Sequence, residues 1–101
     1  MEHVWYQKKE LVLLIINISN LSQIKIGGTL NCDIYIEDNI AKNEFITLKK
    51  SENKYILIDN QTTYGVYLNG RKINSKSFLN DYDFFMVVGY SFYLKEGNLY
   101  T

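Results

Sequence analysis

The chain reads as an all-β protein, and three observations carry that reading. Helical periodicity is missing, while short alternating or wholly apolar runs recur along its 101 residues. Asn, Gly, Asp and Ser break those runs at a spacing of roughly 8–12 residues, the pattern of a sandwich or barrel. No segment supplies the crossover helix that a parallel α/β sheet requires. Hydrophobic residues make up 47% of the chain, enough for a real core, and 101 residues suffice for one domain but not two.

The first expected strand is "LVLLIINI", residues 11–18. It is about a third to a half of a membrane-spanning helix. Lys8, Lys9 and Glu10 before it give a superficial likeness to a secretion signal, but Asn17 interrupts the run and no small-residue cleavage site follows. A buried strand is the better reading. "QIKIG" (23–27), "DIYIE" (33–37) and "EFITLKK" (44–50) follow, then "KYILID" (54–59). In the last of these, Tyr55, Leu57 and Asp59 should face one way and Ile56 and Ile58 the other; Ile34 and Ile36 should share a face opposed by Tyr35. "GVYLN" (65–69), "RKI" (71–73), "DFFMVV" (83–88), "SFYLKE" (91–96) and "NLYT" (98–101) complete the set. Gly27-Gly28, the segment 51–53, Asn69-Gly70 and the segment 96–98 fit turns. Asn69-Gly70 predicts a type I′ hairpin joining "VYL" to "RKI", because both central residues of that turn need positive φ.

Charge and composition exclude several functions. Eleven basic and eleven acidic side chains give a net charge of zero, so no overall basic excess marks a nucleic-acid binder. The pairs Lys8-Lys9, Lys49-Lys50 and Arg71-Lys72 read as solvated edges or turns. The single cysteine, Cys32, has no disulfide partner within the chain, and the single histidine, His3, lies near the terminus. Neither metal nor cofactor is expected, and a reducing, cytoplasmic compartment fits best. Asp81 and Asp83 read as a turn leading into "FFMVV" rather than as paired catalytic carboxylates. Gly27-Gly28 lacks the lysine and following helix of a phosphate loop. The chain therefore reads as a binding or structural module and not as an enzyme.

From Ile24 to Tyr93 the order of features resembles a forkhead-associated (FHA) domain. The carrying residues are Ile26-Gly27-Gly28, Asp33-Ile34, "AKNE" (41–44), "LID" (57–59), "TTYG" (62–65), Asn69-Gly70, "LNDYD" (79–83) and Gly89. The resemblance implies one domain over residues 1–101, with the pattern strongest over 24–95, and a two-sheet β-sandwich of about eleven strands. It also implies phosphothreonine-peptide binding by the loops at one end. In the family an Arg and a Ser bind the phosphate, a His steadies the loops and an Asn holds the peptide backbone. The matching positions here carry Gly28, Ala41, Glu44 and Tyr64. Losing a charge-assisted phosphate contact typically costs about 1.5–3 kcal/mol, so the resemblance points to a degenerate site. Gly28, Thr29, Ala41, Lys42, Thr62, Thr63 and Tyr64 are the candidate binding-loop residues, and Asn69 and Gly70 the scaffold turn. Tyr64 in place of a small amide suits capping or filling the old site.

The aromatic-rich C-terminal part resembles one branch of the family, the FHA domains of EssC-type, FtsK/SpoIIIE-like ATPases of type VII secretion. That branch implies a cytoplasmic, phosphorylation-independent protein-interaction module tethered through a membrane-anchored parent protein, with a secretion-system component as partner. The alternatives are a phosphopeptide reader using Lys42, Thr62 and Thr63, and an unrelated β-sandwich. Most of the fifteen aromatic residues are expected in the core or on sheet faces, with Tyr64 and the Trp5-Tyr6 pair as interface candidates.

Overall fold

Period-two burial governs the strands. In "KYILID" Tyr55 and Leu57 are buried while Ile56 and Ile58 are only half-buried, and in "IYI" Ile34 and Ile36 are buried around a half-buried Tyr35. Such strands must cover one face, and here two sheets cover each other. The computed structural model describes residues 4–6, as backbone, and residues 15–101. His3, Lys8-Lys9, residues 11–14 and the side chains of Trp5 and Tyr6 lie outside that description.

The described residues form twelve strands: β1 (Val4–Tyr6), β2 (Ile15–Asn17), β3 (Gln23–Gly27), β4 (Ile34–Ile36), β5 (Phe45–Ser51), β6 (Lys54–Asp59), β7 (Val66–Leu68), β8 (Arg71–Lys72), β9 (Lys76–Leu79), β10 (Phe84–Val87), β11 (Tyr90–Lys95) and β12 (Asn98–Tyr100). One short 3-10 turn, Asn39–Ala41, precedes β5. One sheet has the order β1-β4-β3-β5-β6-β9 and the other β2-β12-β11-β10-β7-β8. Their inner faces form one apolar cluster. The first sheet supplies Ile24, Ile26, Ile46, Leu48 and Leu57, and the second Phe85, Phe92, Leu94 and Leu99. Phe85 and Phe92 stack at 5.1 Å in its middle. Each such side chain, fully buried, contributes about 1.5–3 kcal/mol.

The sequence reading finds most of these strands. It misses β1, whose partner β4 lies far along the chain in a parallel pairing, Val4 opposite Ile34. It also misses β9, an edge strand whose outward Phe78 and inward Leu79 break any polar alternation. The expected strand "DFFMVV" stops at Val87, because Val88 and Gly89 form the turn that pairs Val87 with Tyr90. The Asn69-Gly70 turn is as expected: Leu68 pairs with Arg71, and φ is 50° at Asn69 and 85° at Gly70.

Candidate functional site

Three connections meet at one end of the sandwich: β3–β4, β4–β5 and β6–β7. Their meeting is held by backbone. Gly28 N–H donates to the Glu44 carbonyl at 2.7 Å, and Gly28 forms a parallel bridge with Lys42. Within β3–β4, Cys32 N–H closes a turn on the Thr29 carbonyl at 3.0 Å. The Thr29 hydroxyl donates to Asn31 Oδ1 at 2.5 Å and contacts Cys32 Sγ at 3.1 Å, so it serves its own loop. Asp33 anchors the loop's exit, accepting from Lys25 N–H at 2.9 Å.

The β4–β5 connection is capped by Asp38, whose carboxylate accepts from Ile40 N–H at 3.1 Å and from the Tyr90 hydroxyl at 2.9 Å. The 3-10 turn buries Ala41 completely and leaves Lys42 exposed. Ala41 therefore belongs to the core rather than to a ligand surface. Its carbonyl lies directly over Gly28. A Cβ at Gly28 would fall on the Ala41 carbonyl and within 2.9 Å of Lys42 N. No side chain fits at position 28 on this backbone, and the resemblance places the phosphate-binding Arg at that position.

The β6–β7 connection is tied down twice. Asp59 accepts from Thr62 N–H at 2.8 Å, and Glu44 Oε1 accepts from Thr63 N–H at 2.6 Å. Glu44 thus points into the loops and joins β4–β5 to β6–β7, with a carboxylate on the amide of a candidate binding residue. The Thr62 hydroxyl is buried without a hydrogen-bond partner. Tyr64 is 59% exposed in the β6–β7 connection, more an outward-facing residue than a filler of the loop cluster, while the Glu44 carboxylate reaches across between the loops.

The seven candidate residues are thus distributed over these three loops, Gly28 against Ala41 and Lys42, and Thr63 against Glu44. Asn69 and Gly70 sit apart, on the β7–β8 hairpin. An open cleft of about 670 Å³ lies beside the cluster, lined among others by Gly28, Thr29, Tyr35, Glu37, Asp38 and Lys42. Glu37, Asp38 and Tyr35 are not among the sequence candidates; the turn-forming pair Asp38-Asn39 is the local signal that could have found their neighbourhood. Among the described residues the charged side chains lining the cleft are Glu37, Asp38 and Lys42. Among the described residues no group of side chains could hold a metal, and no helix is long and apolar enough to cross a membrane.

A scan of known families matches the FHA domain over residues 24–87. No curated protein matches the chain. Among solved structures, Mycobacterium tuberculosis EmbR in complex with a low-affinity phosphopeptide superposes with a TM-score of 0.70 at 20% identity, covering 75% of this chain and 20% of that one. The N-terminal FHA domain of EssC, a component of the bacterial type VII secretion apparatus, gives 0.72 at 17% identity over 87% of this chain and 44% of that one. The FHA-2 domain of a Mycobacterium tuberculosis ABC transporter gives 0.66 at 23% identity over 78% and 72%. The chain thus spans less than half the length of the first two structures.

Proposed function

The chain belongs to the FHA domain family, a family of non-enzymatic protein-interaction modules, and we propose that it binds its protein partner without reading a phosphate. The observation that carries this reading is the closure at Gly28. The Ala41 carbonyl and Lys42 amide occupy the space that any side chain at 28 would need. The phosphate seat has lost its cation and the room for one. Glu44 reinforces the change by presenting its carboxylate to Thr63 N–H, a donor an anionic ligand would otherwise compete for. Like charge repels a phosphate dianion there, so the loop cluster suits a neutral or cationic contact.

The fold-level likeness to the EssC domain supports a place for this chain in a type VII secretion component on the cytoplasmic side, with another component of that apparatus as partner. Capture on the immobilised chain, from lysate of secretion-competent cells before and after phosphatase treatment, tests the reading. The same proteins should be retained in both. A bound set that disappears after dephosphorylation overturns it and favours a phosphopeptide reader built on Lys42, Thr62 and Thr63.

A further inference from the structure

The chain is neutral overall, yet its charges are sorted by place. Among the described residues every carboxylate lies in a loop or turn, except Asp59, which ends β6 on the side shared with Tyr55 and Leu57. None lies within a strand on the outward face of either sheet; Asp33 borders one face beside Lys25, accepting from its backbone N–H at 2.9 Å, and Glu52 borders it in the turn before Lys54. The outward face of the β1-β4-β3-β5-β6-β9 sheet instead carries four lysines, Lys25, Lys49, Lys54 and Lys76. Strand register places them together. Lys25, Thr47, Ile58 and Lys76 form one cross-strand row; Gln23, Lys49, Ile56 and Phe78 form the next; Ser51 and Lys54 close the third. Neighbouring strands lie about 4.8 Å apart and successive rows about 7 Å, so the backbones of the four lysines spread over about 15 Å both across and along the strands.

The floor between the lysines is apolar. Ile56 and Ile58 are half-buried there, Phe78 is 59% exposed, and the half-buried Phe45 borders the patch beyond the Lys25 row, opposite Gly27. Lys25 Nζ stands 5.3 Å from the Phe45 ring centroid and Lys54 Nζ 5.6 Å from that of Phe78.

We propose that this face is a second docking surface, separate from the loop cluster, and that it takes an acidic protein segment whose carboxylates alternate with apolar side chains. The carboxylates pair with the lysines and the apolar groups cover Ile56, Ile58 and Phe78. Complementary charge of this kind sets encounter rate and register, and the apolar floor supplies the buried contact. Nucleic acid is the poorer fit, because Phe78 is the one well-exposed ring among the patch residues and a single strand needs successive aromatic platforms. A bilayer is also the poorer fit, because only Phe78 of the apolar floor stands well out of the sheet. The surface does not depend on how the loops treat phosphate.

The test uses the isotope-labelled chain titrated with a soluble Glu–Tyr copolymer, followed by amide chemical shifts. Shifts should concentrate on β3, β5, β6 and β9 and weaken with added salt. The double variant Lys49→Glu/Lys54→Glu should weaken binding about tenfold or more, while Arg71→Glu/Lys95→Glu, an equal charge change on the other sheet, should leave it within about twofold. Unchanged melting of both variants confirms that they fold. Equal weakening by the two variants overturns the proposal, as do shifts confined to the loops at 28–31, 41–44 and 62–64. Preferential binding of oligothymidine or of phosphatidylserine vesicles also overturns it.

Discussion

Glu44 shows how one residue can tie two loops together. Its carboxylate spans two loops to reach Thr63 N–H. Glu44→Ala should cost about 0.5–1.5 kcal/mol, because it removes one solvent-exposed hydrogen bond, and should speed hydrogen exchange at the Thr63 amide. Glu44→Gln, which keeps an acceptor, should stay near the parent. Two glycines separate steric from conformational demand. Gly70 has open space around a would-be Cβ, so Gly70→Ala should cost only about 1 kcal/mol for its φ of 85°. Gly28→Ala drives a methyl into backbone and should cost about 2–3 kcal/mol; chemical denaturation ranks the two. Tyr55 gives the pH dependence. Burial, with a smaller contribution from the Asp81 charge, raises its phenol above the usual 10.0, and its hydroxyl donates to the Ile18 carbonyl at 2.9 Å. The unfolded phenol ionises near pH 10 while the folded one stays neutral. The contribution is therefore whole below pH 10 and is lost as pH rises through the folded value. Stability measured across this range should fall above about pH 10, and Tyr55→Phe should flatten that fall.

At the scale of elements, the motif residues that carry the family resemblance mostly secure turns. Asp83 accepts from Asn69 Nδ2 and from Asn80 N–H, both at 2.9 Å, while Asn69 Oδ1 accepts from Phe84 N–H at 3.0 Å. The β7–β8 hairpin is thereby tied to the turn before β10. Asp83→Ala removes two of these bonds and should lower stability by about 2 kcal/mol, read from the shift in the urea midpoint. Asp81, two residues earlier, accepts from Glu96 N–H at 3.2 Å and serves a neighbouring turn. These turns and the central strands were legible because short-range chemistry dictates them: Asn-Gly for positive φ, alternation for a half-buried strand. β1 and β9 were not. One depends on a distant parallel partner, and the other is an edge whose exposed face carries an aromatic ring. Val88 was misread as strand because a β-branched residue at φ 44° is unfavourable on local grounds; its side chain, 7% exposed, is held in the core cluster.

For the whole molecule, zero net charge concealed a division into carboxylate-bearing loops and a lysine-bearing sheet face. Composition could not reveal it, since only strand register brings Lys25, Lys49, Lys54 and Lys76 to one side. Changes at the loop end were legible as substitutions at positions 28, 41, 44 and 64. Their physical sense was not: the closure over Gly28, the reach of Glu44 and the exposure of Tyr64 are tertiary facts. The central claim is that the family's phosphate seat is closed in this chain. Calorimetric titration with phosphothreonine peptides and their unphosphorylated twins tests it most directly. The twins should bind alike, with any phosphate-dependent binding weaker than about millimolar. Micromolar binding of the phosphorylated form alone, lost in Lys42→Ala, would contradict it.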